Sequence, residues 1–495
     1  MKPGIKKRIE HGICMLVLMM AQNLYAQTLP QLITAKKTNV LFIAVDDLRN
    51  QLGCYGDSVV ITPNIDRLAK NGVVFNNAYC QQAVCGPSRA SLLTGRRPDV
   101  TQVWDLKTHF RKALPNVVTL PQYFKENGYH ARCVGKIYHD PADLQDPISW
   151  SAPEIMAVTG AVGHKYVLEE NRKIKGKAAA VECIDAPDSA YVDGMVCNAA
   201  IKVLQEIKDK PFFLAVGFRR PHLPFTAPKK YWDYYDRNEI PMPLPAISPQ
   251  NVPEIALHNS TELRGYTDVP DEGPIPPEKI RELRHGYYAS VTYTDTQIGR
   301  LIDELDKQGL TDNTIIVLWS DHGYHLGELD LWCKSTNFES DTRIPLIISA
   351  PSIKNKDVHT DGIVESVDLY PTLAQLAGLS IPKELDGLSM VPLMKAPERP
   401  WKKAAFSQFP RPWIYKDKPN VMGYSIRTKD FRYTEWRNFN DGTIESTELY
   451  YYQANNRLEE RNLTALKQYD NVKLKLKQLL DAGWRKALPV QKTTD

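Results

Sequence analysis

At 495 residues the chain is longer than a single hydrophobic core usually serves, which argues for two unequal domains. Its 43% hydrophobic and 24% charged residues match an ordinary soluble globular protein and exclude a fibrous or disordered chain. The formal charge of +4 comes mostly from Lys2, Lys6, Lys7 and Arg8 against Glu10; the rest is near neutral and gives no case for nucleic acid or a membrane surface as partner.

The N-terminus reads as a basic stretch, an apolar run from Gly12 to Ala21, and Leu24-Tyr25-Ala26 before Gln27. This is the pattern of a cleaved signal peptide over residues 1–26. The run is too short for a bilayer span of roughly 20 residues, and nothing downstream approaches that length. Export to a periplasmic or secreted location is the expectation. Eight cysteines are too few for a disulfide scaffold in a chain this long; Cys183 and Cys197 flank a short polar loop, and their spacing leaves a bridge and two free thiols equally open.

In chain order, Val40 to Val45 is a continuous apolar run suited to a strand buried on both faces. Thr62-Pro63 starts a helix that Gly72 ends, and a second helix spans Pro121 to Asn127 before the strand-like Tyr129 to Val134. Residues 140–195 are irregular and hard to assign. Strands follow at Phe212 to Val216, Thr314 to Leu318 and Ile344 to Ile348, with a long helix from about Pro277 to Leu305 among them. This alternation predicts an α/β fold with a mostly parallel central sheet covered by helices. Residues 380–400 are proline-rich and read as a connector. Beyond them, Gly423 to Arg427, Phe431 to Trp436, Glu448 to Tyr452 and the amphipathic Asn471 to Trp484 predict a small antiparallel sheet with a terminal helix. The expected division is therefore a domain over 27–380 and a C-terminal subdomain over 381–495.

Ligands of open α/β sheets bind beyond the carboxyl ends of the strands. Asp46 and Asp47 follow the first strand, Lys136 and His139 the next, His222 a third, and Asp321 with His322 a fourth. Four such coincidences at one sheet edge argue for one shared site. The adjacent carboxylates repel unless a cation sits between them, and with Asp321 they offer the hard oxygen ligands that Ca²⁺ or Mg²⁺ prefers. In Cys85-Gly86-Pro87-Ser88-Arg89, Pro87 suits a helix first turn and Gly95 its end. Cys85 is then expected just outside a helix N-terminus, a place that attracts anions and depresses a thiol pKa.

Cys85-x-Pro87-Ser88-Arg89 with Thr94-Gly95 resembles the signature of type I sulfatases, and Gly128-Tyr129, Gly135-Lys136 and His139 resemble the second signature of that family. Gly95-Arg96-Arg97-Pro98-Asp99, Pro121-Gln122-Tyr123-Phe124, Phe213-Leu214-Ala215-Val216-Gly217, Asp321-His322-Gly323 and Met422-Gly423-Tyr424-Ser425-Ile426-Arg427-Thr428 are similar to its iduronate-2-sulfatase branch. So are two departures from the general pattern, His139 three residues after Lys136 and His322 in place of the commoner Asn.

The resemblance implies an alkaline-phosphatase-like fold, one Ca²⁺ per chain, and a Cα-formylglycine made from Cys85 by a maturation enzyme. Its hydrate offers one hydroxyl to attack sulfur and a second whose ionisation expels sulfate. The implied metal shell is Asp46, Asp47, Asp321, His322 and position 85; Arg89, Lys136 and Lys334 surround the sulfuryl oxygens, His222 protonates the leaving alcohol and His139 acts as base. The implied substrate is a sulfated oligosaccharide, through the 2-O-sulfate of a uronic acid, with Arg97, Arg219 and Arg411 as candidates for its carboxylate. Sulfated algal polysaccharide, a phosphate or phosphonate monoester with His325 as an extra metal ligand, and an unmatured carbohydrate-binding protein are the competing readings.

Overall fold

The computed structural model describes residues 37–155, 165–453 and 456–489. The signal peptide expected over 1–26 lies outside them. From Thr38 onward the chain packs as one compact unit.

Its main sheet has seven strands: Asn39–Val45 (β1), Val73–Phe75 (β2), His130–Gly135 (β3), Phe212–Phe218 (β4), Thr314–Ser320 (β5), Leu346–Ser349 (β6) and Val358–Thr360 (β7). They lie in the order β7-β2-β6-β5-β1-β4-β3. β1 pairs parallel with both β4 and β5, and β4 parallel with β3, so the four strands expected to carry site residues point the same way. β1 is buried along its whole length. Leu41, Ile43 and Val45 enter one hydrophobic cluster, Val40, Phe42 and Ala44 the other, as a period of two requires. Each large apolar side chain buried this way contributes about 1.5–3 kcal/mol.

The expected strand Ile344 to Ile348 is interrupted at Pro345, and β6 runs antiparallel to β5 and β2. No long helix separates β5 from β6, so the chain returns along the neighbour instead of crossing over. Part of that return, Trp332 to Ser335, builds one wall of the site.

The principal helices are Pro63–Lys70 (α1), Cys85–Thr94 (α2), Leu120–Glu126 (α3), Val192–Ile207 (α4), Pro277–Lys307 (α5) and Asp470–Ala482 (α6). α4 was not legible in the irregular stretch before it; its apolar side packs into the same cluster as β4. The C-terminal sheet is antiparallel as expected, in the order Ala405–Arg411 (β8), Val421–Arg427 (β9), Phe431–Asn438 (β10) and Ile444–Tyr451 (β11). β8 was not expected; it is an edge strand, where Pro410 costs no ladder bond on its open side.

Cys183 and Cys197 are free thiols. Cys183 is exposed, whereas Cys197 is buried on α4 with its thiol on the Gln297 carbonyl, so the two side chains are committed to different surroundings.

Candidate active site

The loops leaving β1, β3, β4 and β5 meet the start of α2 at one edge of the sheet. Asp47 sits at φ 62°, a left-handed conformation that Asp tolerates better than most residues. Its backbone N–H donates to Asp321 Oδ1 at 3.2 Å, tying the end of β1 to the end of β5.

Arg89 organises the floor. Its guanidinium donates through Nη2 to Asp46 Oδ1 (2.8 Å), through Nε to Asp321 Oδ2 (2.9 Å), and through Nη1 to the carbonyls of Lys136 (2.8 Å) and Ile137 (3.0 Å). Lys136 Nζ meets Asp46 Oδ2 at 2.5 Å. The Lys136 carbonyl reaches this position because β3 and β4 approach closely at Gly135 and Gly217: a side chain on Gly217 would run into that carbonyl. Ser88, quoted within the Cys85 motif without a role, donates to the Asp321 carbonyl at 2.5 Å. Arg89 is therefore spent on carboxylates and carbonyls beneath the cleft.

Cys85 Sγ lies 3.3 Å from His322 Nε2. His322 Nδ1 is 2.9 Å from the Gly323 carbonyl, which only accepts, so Nδ1 carries the proton and Nε2 presents a lone pair 3.4 Å from Asp47 Oδ1. Two groups in this region bring potential ligand atoms within 4.8 Å of one another: Asp46, Asp47, Cys85 and His222; and Cys85, Asp321 and His322. Three carboxylates, one imidazole lone pair and the position 85 side chain make an oxygen-rich donor set that fits a hard divalent cation.

The electrostatics agree with that fit. Burial would raise the Asp46 carboxyl, but Lys136 and Arg89 hold it well below the usual range. Burial pushes the Asp47 carboxyl up to about 7 against the lowering pull of Lys334 and His322, with Asp46 and Glu262 adding to the rise. A carboxylate so poorly compensated gains most from a cation beside it.

Lys334 Nζ bonds both Asp47 oxygens (3.1 and 2.9 Å) and Glu262 Oε1 (2.9 Å), from a loop in which Cys333 and Ser335 both have positive φ. Glu262 also lies 3.3 Å from His222 Nε2. Burial works to raise Glu262, but Lys334 and His222 bring it down to about 2. Sequence reasoning missed Glu262, which stands on the single helical turn Thr261–Arg264, too short to show a period and with no motif around it. His222 Nδ1 donates to the Leu223 carbonyl at 2.6 Å, and burial with Lys334 lowers its pKa well below the ordinary value. His139 is likewise pushed well down, by burial and then Lys136, and its Nδ1 is buried without a partner.

Two expectations at Cys85 are corrected. The residue is the first of α2, not a flank of it, and Val84 caps the helix. Its thiol pKa is raised well above the ordinary value, because burial and then Asp46 outweigh the helix terminus.

Cys85, His139, His222 and Lys334 line a cleft of about 660 Å³, walled by Trp332, Trp413 and the exposed Ile414. Of the three arginines considered for a substrate carboxylate, only Arg411 lines it, and its guanidinium donates to backbone carbonyls including Ser335 at 2.9 Å. Arg97 forms a fork with Glu365 (both 2.8 Å) and Arg219 meets Asp140 at 2.7 Å. His325 is fully buried with Nδ1 2.6 Å from Asp341 Oδ1, outside both potential metal groups.

A family model described as sulfatase matches residues 38–379, and one described as N-sulphoglucosamine sulphohydrolase, C-terminal, matches residues 327–486. Iduronate 2-sulfatase of Mus musculus is 37% identical, over 84% of this chain and 89% of its own length. That of Homo sapiens is 36% identical, over 87% and 92%. Among solved structures, the phosphonate monoester hydrolase from Silicibacter pomeroyi shares the fold with a TM-score of 0.75 at 24% identity, covering 92% of this chain and 97% of that one. The family match over most of the chain and the named relatives lead to one conclusion: this chain belongs to the sulfatase family and is a sulfuric ester hydrolase.

Proposed function

We propose that the protein removes the 2-O-sulfate of a uronic acid from sulfated oligosaccharides after export, with a formylglycine at position 85 and one Ca²⁺. The observation that carries this reading is the meeting of Asp46, Asp47, Asp321 and His322 around Cys85 at the base of a cleft with cationic and aromatic walls. The iduronate 2-sulfatases among its relatives favour the uronate substrate. Among the described residues no helix is long and apolar enough to cross a membrane. Residues 27–380 would then form the catalytic part and 381–495 its C-terminal subdomain.

The bound cation would supply positive charge for a sulfate oxygen, and the hydrated aldehyde a nucleophilic hydroxyl. Asp46, Asp47, Asp321 and His322 would hold the ion. Arg89 and Lys136 fix Asp46, so they orient the ligand set from below. Lys334 lines the cleft, held between Asp47 and Glu262, and its positive charge would lie beside a bound sulfuryl oxygen. His222 would deliver a proton to the leaving alcohol from Nε2. Its lowered pKa opposes this in the free protein, and the negative charge of a bound ester together with Glu262 restores it. His139, neutral and with Nδ1 unpartnered, is placed to accept a proton.

The deciding experiment is mass spectrometry of the tryptic peptide holding position 85 in active protein, beside turnover of the Cys85→Ala variant. The peptide is expected about 18 Da lighter than encoded, since a thiol has become an aldehyde. The variant should fold and not turn over. An unaltered thiol in active enzyme, or comparable kcat for the variant, refutes the reading. A panel of defined sulfated saccharides, with nitrophenyl sulfate against nitrophenyl phosphate, separates uronate from algal substrates and sulfate from phosphate esters.

A further inference from the structure

A second cavity, of about 320 Å³, is lined by Arg49, Asn50, Arg343 and Arg457 together with Asp57 and Glu339 among others. It shares no lining residue with the catalytic cleft. Its charges are unevenly matched. Glu339 already accepts from Tyr79 (3.0 Å), Arg427 (2.8 Å), Arg432 (2.9 Å) and Arg457 (3.4 Å), so both its oxygens are occupied. Asp57 Oδ1 accepts the backbone N–H groups of Val59 and Val60, both at 2.8 Å. Arg49 is answered by Glu328 at 3.1 Å.

Arg343 is left over. It donates Nε to the Asn76 carbonyl at 2.8 Å, and Glu339, the acid that acts on it most, is hydrogen-bonded elsewhere and only partly offsets its burial. Burial and then Arg457 push its guanidinium below the ordinary value, the mark of a cation without an adequate counter-charge. Beside it, the Asn50 Nδ2 amide is buried without a partner. A guanidinium fork with free Nη donors, a second arginine at the rim and an orphan amide N–H are the groups that recognise an oxyanion.

We propose that this cavity is an anion site, distinct from the catalytic cleft, that takes a sulfate through Arg343, Arg457 and Asn50. Two sources share that chemistry: a further sulfate group of a long saccharide chain, and free sulfate released by the reaction. The proposal goes beyond the function proposed above, and its first readout does not depend on turnover.

The test is equilibrium dialysis of radiolabelled inorganic sulfate against the metal-loaded protein and two variants, Arg343→Gln and Arg457→Ala. Wild type is expected to bind two sulfates per chain. In each variant one of them should weaken roughly tenfold, the loss of a charged hydrogen-bonding partner, while nitrophenyl sulfate turnover stays unchanged. Arg457 is partly exposed at the rim, so its variant keeps the test decisive if Arg343→Gln fails to fold. A rise in KM for long sulfated chains, but not for disaccharides, assigns the site to the chain; unchanged KM with weakened sulfate binding assigns it to free sulfate. Sulfate binding at wild-type stoichiometry and affinity in both variants overturns the proposal.

Discussion

Replacing Arg89 by lysine keeps the charge and removes the geometry. The guanidinium serves two carboxylates at 2.8 and 2.9 Å and two carbonyls at 2.8 and 3.0 Å, all in a place of 0% exposure. An ammonium has three donors on a compact head, so it cannot span Asp46 and Asp321 and still reach both carbonyls. Asp46 would keep Lys136, while Asp321 would be left as a buried carboxylate without its cation. Breaking one side of a buried ion pair costs about 3–5 kcal/mol, and Arg89→Lys should fall in that range because one of its two pairs is lost outright. The assay is urea unfolding by far-UV circular dichroism or, where unfolding is irreversible, the half-life of heat inactivation; a loss of 3 kcal/mol is about a hundredfold in the equilibrium constant. A variant within about 1 kcal/mol of wild type would show that the array behaves like a surface ion pair, and the account of Arg89 as the organiser of the ligand set would fall.

Gly217→Ala should displace the Lys136 carbonyl from Arg89, costing about 1–3 kcal/mol and lowering kcat more than it raises KM; steady-state kinetics on nitrophenyl sulfate check it. Chelation should abolish turnover and Ca²⁺ restore it, with a rise in Tm on re-addition, because the cation relieves Asp47, which otherwise sits at about 7. Glu459 supplies a pH test outside the candidate metal site: burial, only partly opposed by Arg432 and Tyr452, pushes its carboxyl up to about 7 from 4.5. The folded state therefore holds a proton that the unfolded state has lost, so this group's contribution to stability falls as pH rises from about 4.5 to about 7 and is constant beyond. Glu459→Gln should remove that slope, closing a difference of up to about 3 kcal/mol, and parallel urea titrations at pH 5 and pH 7.5 would contradict it if they move alike.

Asp46 and Asp47 were legible as candidate metal ligands because β1 is apolar through Val45 and turns polar at once after it, as a buried strand ending in a loop does. Asp321 and the histidines followed from the same rule. Lys334 was reachable only through family resemblance: it stands among short strands and positive-φ residues, and no periodicity marks it. Glu262 had neither motif nor period, since the four-residue helix that carries it, Thr261–Arg264, is too short to show one and reaches the cleft by tertiary packing. The thiol pKa at Cys85 was misread because a helix terminus is visible in sequence, whereas the depth of burial that outweighs it is not.

Cys85 is 2% exposed and is framed by Val84, His322 and the floor built on Arg89. A visiting protein too large for the cleft could grip a sulfur at that depth only by prising apart strands that join residues 173 and 275 positions distant in the chain. Any enzymatic alteration of that atom thus belongs to the interval between synthesis and closure of the sheet. Under the proposed function the topology would then set the order of events: modification first, and afterwards the fold that seals the site.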